Sequence, residues 1–178
     1  MVKSSKKAVL SVTLEGQIDP GAAKRLSLSN DGVWCVIAGG GGKSYFYLVD
    51  IVNEAQYKLI STNLECTYAP CFINGDSEYV AVGAPGGKIE IWNVETKSSV
   101  KMIETGTDKP VAALHSANDI LAVVSWDKKL SLWHVKNWNM FYSKDIEMQP
   151  YSVHLTKDSK YLTLGGYYGE RCVIFEIK

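Results

Sequence analysis

The sequence predicts an all-β fold built from four copies of one four-stranded unit, on three observations. The first is a repeat: Val49, Trp92, Trp133 and Phe175 close similar segments at spacings of 43, 41 and 42 residues. A period near 42 with four strands per unit marks a β-propeller rather than a helical solenoid. The second is alternation. In Lys88-Ile-Glu-Ile-Trp-Asn-Val94 and Lys129-Leu-Ser-Leu-Trp-His-Val135, apolar side chains recur at every second position, the period of a strand. The third is that no window carries a helical period or a capping box ahead of an apolar run.

Each unit opens on a polar turn with an Asp: Ser29-Asn-Asp-Gly32, Asn74-Gly-Asp-Ser77, Asn118-Asp119 and Lys157-Asp-Ser159. Such residues accept turn geometry readily. Apolar strands are expected after them at 34–38, 79–83, 120–125 and 161–165, and closing strands at 45–52, 88–94, 129–135 and 171–177. Outer strands are expected at 57–64, 99–104 and 140–147, with an equivalent at 8–15. The chain then reads as a single domain, 1–178, of units at about 8–53, 57–95, 98–137 and 140–178. Residue 178 leaves the last blade without an outer strand after it, so strand 8–15 is expected to complete that blade as a clasp.

The stretches Val124-Ser-Trp-Asp-Lys-Lys-Leu-Ser-Leu-Trp133, Gly86-Gly-Lys-Ile-Glu-Ile-Trp-Asn93 and Ser27-Leu-Ser-Asn-Asp-Gly32 resemble the WD40 repeat, and the resemblance extends from about residue 8 to 178. It implies a WD40-type β-propeller and a non-catalytic scaffold for other proteins. The family's Gly-His pair stands here only as Gly16-Gln17 and Gly106-Thr107, so its buried polar network lacks the His in every unit. Ser125, Asp127 and Trp133 occur together in the third unit alone, while the second keeps Trp92. The blades are therefore expected to depend more on apolar packing than a consensus propeller does.

Composition narrows the function. Formal net charge is zero and only Arg25 and Arg171 are arginines, which argues against general attraction to nucleic acid or anionic membrane. No apolar run approaches the roughly 18 residues of a membrane span, and the basic N-terminus leads into no signal-peptide core. Cys35, Cys66, Cys71 and Cys172 have no CxxC spacing and read as mostly buried free thiols, which suits the cytoplasm or nucleus. Ala38-Gly-Gly-Gly-Gly-Lys-Ser44 approaches a phosphate loop. It has Ile37 where the motif needs glycine, and a strand follows where a helix is needed, so it reads as a hairpin. His115, His134 and His154 fall at different points of the unit pattern and read as isolated imidazoles. No nucleophile elbow or Ser–His–Asp arrangement is found. No cofactor, metal or catalysis is expected.

A binding surface remains. WD40 propellers commonly recognise partners on the face that carries the outer-to-inner loops and the second-to-third hairpins. Here those are the loops 16–21, 65–68, 106–110 and 148–150 and the hairpins near Lys43, Pro85, Trp126 and Tyr167-Tyr168. Trp126, Tyr167 and Tyr168 stand in turns, where exposed aromatics suit interface hot spots; Lys43, Asp108 and Tyr68 share that face. Trp138 and Phe141 read as edge packing, and Pro20, Pro110 and Pro150 as fixed entries to inner strands. Four blades are few for this family, and the count favours an incomplete or self-associating arc, such as half of a dimeric eight-bladed ring, over a closed four-bladed monomer. Other proteins are the expected partners, with no membrane and no direct nucleic-acid contact. The competing reading is a splicing, ubiquitin-ligase or RNA-linked propeller, since 138–166 loosely resembles that of a pre-mRNA-processing ubiquitin ligase.

Overall fold

A computed structural model describes residues 25–38, 42–53, 56–167 and 171–178. Short apolar runs separated by Gly, Asn and Asp turns give antiparallel sheets, each strand joined to the next by a hairpin. The first sheet holds β1 (Arg25–Leu28), β2 (Trp34–Ala38), β3 (Tyr45–Asp50) and β4 (Gln56–Ser61) in sequence order. The second holds β5 (Pro70–Phe72), β6 (Tyr79–Gly83), β7 (Lys88–Asn93) and β8 (Ser98–Glu104). The third holds β9 (Val111–Ala117), β10 (Ile120–Ser125), β11 (Lys129–His134) and β12 (Asn139–Asp145). The described part of the fourth holds β13 (Pro150–Leu155), β14 (Tyr161–Gly166) and β15 (Cys172–Glu176). These sheets are the blades of a four-bladed β-propeller, with β1, β5, β9 and β13 innermost.

Each outer strand pairs with the closing strand before it: β4 with β3, β8 with β7 and β12 with β11. The sequence units 57–95, 98–137 and 140–178 therefore each straddle two blades, because a hairpin joins the outer strand to its predecessor while a longer loop leads inward to the next blade. The clasp strand 8–15 and Pro20 lie outside the described residues.

Packing between blades follows the two-residue alternation. One face of the second blade (Phe72, Val80, Val82, Trp92) packs on Val36, Phe46, Leu48 and Ile60 of the first. Its other face (Cys71, Ala81, Ile89, Ile91) packs on Leu121, Val123 and Trp133 of the third. Ala122, Val124, Leu130 and Leu132 then meet Val153, Leu155, Leu162 and Leu164 of the fourth. Strands between two blades are thus covered on both faces, which the alternating pattern conceals. Glu90 of β7, polar in an apparently half-exposed strand, is completely buried and accepts a bond from Asn63 Nδ2 at 3.4 Å. Blade contact is close enough to require glycine at Gly83. A Cβ there would stand 2.7 Å from Val111 Cγ1 on the next inner strand. Gly83→Ala is expected to cost about 1–3 kcal/mol through overpacking, read as a lower urea midpoint at unchanged slope.

Polar contacts stitch the turns of successive blades at the channel's base. Asn30 N–H donates to Gly75 O at 2.7 Å, and Ser77 Oγ donates to Asp31. One blade on, Asn74 N–H donates to Ser116 Oγ at 3.0 Å, Asn74 Nδ2 donates to Asp119 Oδ1 at 3.2 Å and Asp119 N–H returns to Asn74 Oδ1 at 3.0 Å. Ser159 Oγ then donates to Ala117 O at 2.8 Å. The Asp turns read from the sequence so connect blades as well as strands. Inside them, Ser29 Oγ and Thr156 Oγ1 donate to Asp31 and Asp158 at 2.5 and 2.7 Å.

His115 and His154 do not fall at unrelated points. Both lie on inner strands, β9 and β13, and their ring centroids are 4.8 Å apart. His115 Nδ1 accepts the Leu155 N–H at 3.1 Å, a contact that only the neutral ring can make. Burial, reinforced by His154, pushes the His115 imidazole down to about 4 from 6.5. The unfolded chain therefore takes up this proton first, so stability present above pH 6.5 is lost as pH falls towards 4. Melting temperature should drop across that interval, and by less in His115→Gln, when each protein is compared with its own value at neutral pH.

The first and last blades meet at the opposite end of the channel. Arg25 Nη1 on β1 donates to Tyr151 O on β13 at 3.1 Å, and its guanidinium lies over the Tyr151 ring, 4.5 Å from the centroid. The arc favoured from the blade count is brought together there by a contact across 126 residues. On the face of β15 opposite Val173 and Phe175, Ile174 is 67% exposed.

Candidate functional site: the aromatic mouth of the central channel

The mouth is assembled from loops and hairpins that the backbone holds tightly. Trp126 N–H donates to Pro110 O at 3.0 Å, fastening the β10–β11 hairpin to the loop before β9. Tyr167 N–H donates to Gln149 O at 3.0 Å, making the same link in the fourth blade, and Tyr68 N–H donates to Gly83 O at 2.8 Å in the second. Gln149 Nε2 crosses to Trp126 O at 3.1 Å, joining third and fourth blades. Pro110 precedes β9 and Pro150 begins β13, where a ring-fixed φ sets strand entry.

These anchors bring four aromatic rings together. Tyr68 and Trp126 lie 5.8 Å apart between centroids and tilt at 49°; Tyr151 and Tyr167 lie 5.5 Å apart and tilt at 40°. With Arg25, Gln149 and Pro150 they line a cavity of about 440 Å³. Trp126, Tyr151 and Tyr167 remain 46%, 49% and 44% exposed, so their faces are partly open to a ligand. Burial holds the Arg25 guanidinium below its usual value, with Tyr151 acting in the opposite direction. It stays a cation at neutral pH.

Of the residues expected at a partner surface, Trp126, Tyr167 and Tyr68 converge here. Tyr168 lies outside the described residues, as does 39–41 of the glycine-rich hairpin. Lys43 takes no part in lining this cavity; its carbonyl accepts the Thr67 N–H at 3.0 Å. Asp108 is 84% exposed and pairs with Lys109 at 3.4 Å, also away from the lining. Arg25 and Tyr151 carry no local signal that marks them as site residues. Both sit on inner strands, and only the ring places them side by side. Phe141 stacks on His134 with centroids 4.3 Å apart, and Trp138 packs partly buried against the cluster between the second and third blades, both at blade edges.

The polar network of the third blade differs from the expected one. Thr107 Oγ1 donates to Asp127 Oδ2 at 2.5 Å and Ser125 Oγ donates to Asp127 Oδ1. The Thr107 hydroxyl thus gives the Asp127 carboxylate a second donor beside Ser125. Burial opposes ionisation of Asp127, but the Ser125 and Thr107 hydroxyls outweigh it and hold the carboxyl below its usual value. Trp133 stands outside this network, its Nε1 donating to Ser131 Oγ at 2.9 Å. In the second blade Trp92 Nε1 has no hydrogen-bond partner among the described residues, and its ring meets Phe46 edge-on at 5.7 Å.

Fold and mouth together define a four-bladed propeller with an aromatic cavity at one end of its axis. No family model matches the chain. It is similar to the intraflagellar transport protein 122 homolog of Danio rerio, 26% identical over 114 residues that cover 60% of this chain and 9% of that protein. It is also similar to the probable coatomer subunit beta' of Schizosaccharomyces pombe, 23% identical over 115 residues that cover 64% of this chain and 14% of that protein. The chain therefore spans only about a tenth of the length of these relatives. Among solved structures, Kuenenia stuttgartiensis hydrazine synthase matches with a TM-score of 0.74 over 88% of this chain and 46% of that one, at 14% identity, a likeness of fold alone.

Proposed function

We propose that this chain is a divergent WD40-type propeller that acts without catalysis, binding other proteins within a multiprotein complex through the aromatic mouth. The observation that carries the reading is the convergence of Tyr68, Trp126, Tyr151 and Tyr167 around one cavity on backbone-anchored elements. Partly exposed aromatics on rigid supports bind at small entropic cost, which is why such rings dominate interface hot spots. One relative is by name a subunit of a coatomer and the other a transport protein, which supports a role beside other proteins. The Thr107–Asp127–Ser125 cluster supports the WD40 assignment. Cys35, Cys66 and Cys71 are buried free thiols, with burial pushing Cys35 to about 11 and Cys71 to about 12, which suits the reducing cytoplasm.

The test uses wild-type chain and Trp126→Ala as paired baits in extract from the native source. Proteins retained by the wild type should be depleted at least about tenfold by the variant, while its thermal melt stays unchanged. Equal retention by both baits contradicts the mouth as the binding surface.

A further inference from the structure

We infer that the mouth takes an acidic peptide segment, with an Asp or Glu side chain reaching Arg25 and a neighbouring apolar residue seated among Tyr68, Trp126, Tyr151 and Tyr167. The inference rests on the protein-binding reading above and specifies the partner's chemistry. Three features of the cavity carry it. Among the described residues lining it, Arg25 is the one that is charged and none is acidic. The guanidinium is oriented on one side by the Tyr151 carbonyl at 3.1 Å and beneath by the Tyr151 ring at 4.5 Å, so its planar fork is held ready for a carboxylate. That same cation discourages a second one, so the rings do not form a cage for lysine or a quaternary ammonium group.

Gln149 is held in the lining by its bond to Trp126 O, and the Trp126 indole adds a partly exposed ring to which an apolar neighbour of the acidic side chain can pack. A volume near 440 Å³ suits a side chain or two rather than a folded surface. A lone arginine with zero net charge on the chain also provides little for a polyanion, which sets a peptide above nucleic acid.

Short random peptides displayed on phage are panned over the full chain, and those recovered are synthesised both as selected and with each Asp→Asn or Glu→Gln. The expected result is enrichment of Asp or Glu beside an apolar residue. The amide forms should bind about tenfold or more weakly, and Arg25→Gln should erase the difference between acid and amide. The Trp126 indole N–H resonance should shift on titration with the acidic form. If Arg25→Gln fails to fold, the acid-to-amide comparison on the wild-type protein decides. Recovery of basic or phosphate-dependent peptides, or equal binding of acid and amide forms, overturns the acidic partner. Where such peptides still lose binding to Trp126→Ala, the protein-binding mouth stands. Peptides that bind Trp126→Ala as well as wild type overturn both.

Discussion

Trp133→Ala is expected to remove about 3–5 kcal/mol of stability. The side chain is only 7% exposed and packs in the cluster shared by the second and third blades, with Ile89, Ile91, Leu121 and Val123. Its loss opens a cavity between two sheets whose backbones are each fixed by their own ladders, so collapse can fill little of it. Domains of this kind retain about 5–15 kcal/mol in all, which makes this one contact a large share. Urea unfolding followed by far-ultraviolet circular dichroism measures it. Comparison with the second blade separates packing from hydrogen bonding. Trp133→Phe also forfeits the bond from Nε1 to Ser131 Oγ, whereas Trp92→Phe removes a buried N–H with no partner among the described residues. Trp133→Phe should therefore be the costlier of the two, by about 1 kcal/mol.

Trp126→Ala is expected to do the opposite: weaken partner binding by about 2 kcal/mol or more, roughly thirtyfold, with little effect on stability. The ring is 46% exposed, and its backbone N–H, which holds the hairpin to Pro110 O, survives the substitution. What is lost is one wall of the cavity and the contact with Tyr68 at 5.8 Å. Titration with a captured partner, paired with a thermal melt, should give a large change in affinity beside a shift of stability within about 0.5 kcal/mol. A comparable loss in both would make Trp126 a packing residue.

Much of the fold was legible because propeller blades repeat local signals. The second strands expected at 34–38, 79–83 and 120–125 are β2, β6 and β10 with those bounds, since Asp turns before them and small-residue turns after them fix both ends. Inner strands were harder to delimit. β5 has only three residues, Pro70–Phe72, and all are buried, too short a run to show a period. Without their bounds, His115 and His154 could not be recognised as neighbours. The burial of Glu90 was hidden for a related reason: alternation reports which face a residue shares, and in a stack of blades both faces are covered.

The site was half legible. Exposed aromatics in turns point to Trp126 and Tyr167, because turns normally hold polar residues there. Nothing local marks Arg25, whose position beside Tyr151 depends on four blades curving around an axis. The bond from Thr107 to Asp127 was not legible either, because a hydroxyl can serve a carboxylate only when the loop presents it at the right distance.

Cross-linking from inside the mouth locates the surface at which partner proteins bind. A photoreactive side chain is placed at Trp126 and, in a second protein, at Phe141 on the outer strand β12. Both residues are exposed, at 46% and 42%, so accessibility alone does not distinguish them. Irradiation in native extract should join a partner protein to position 126 and not to position 141. Cross-links from position 141 with none from position 126 would place the binding surface on the propeller's rim and rule out the mouth.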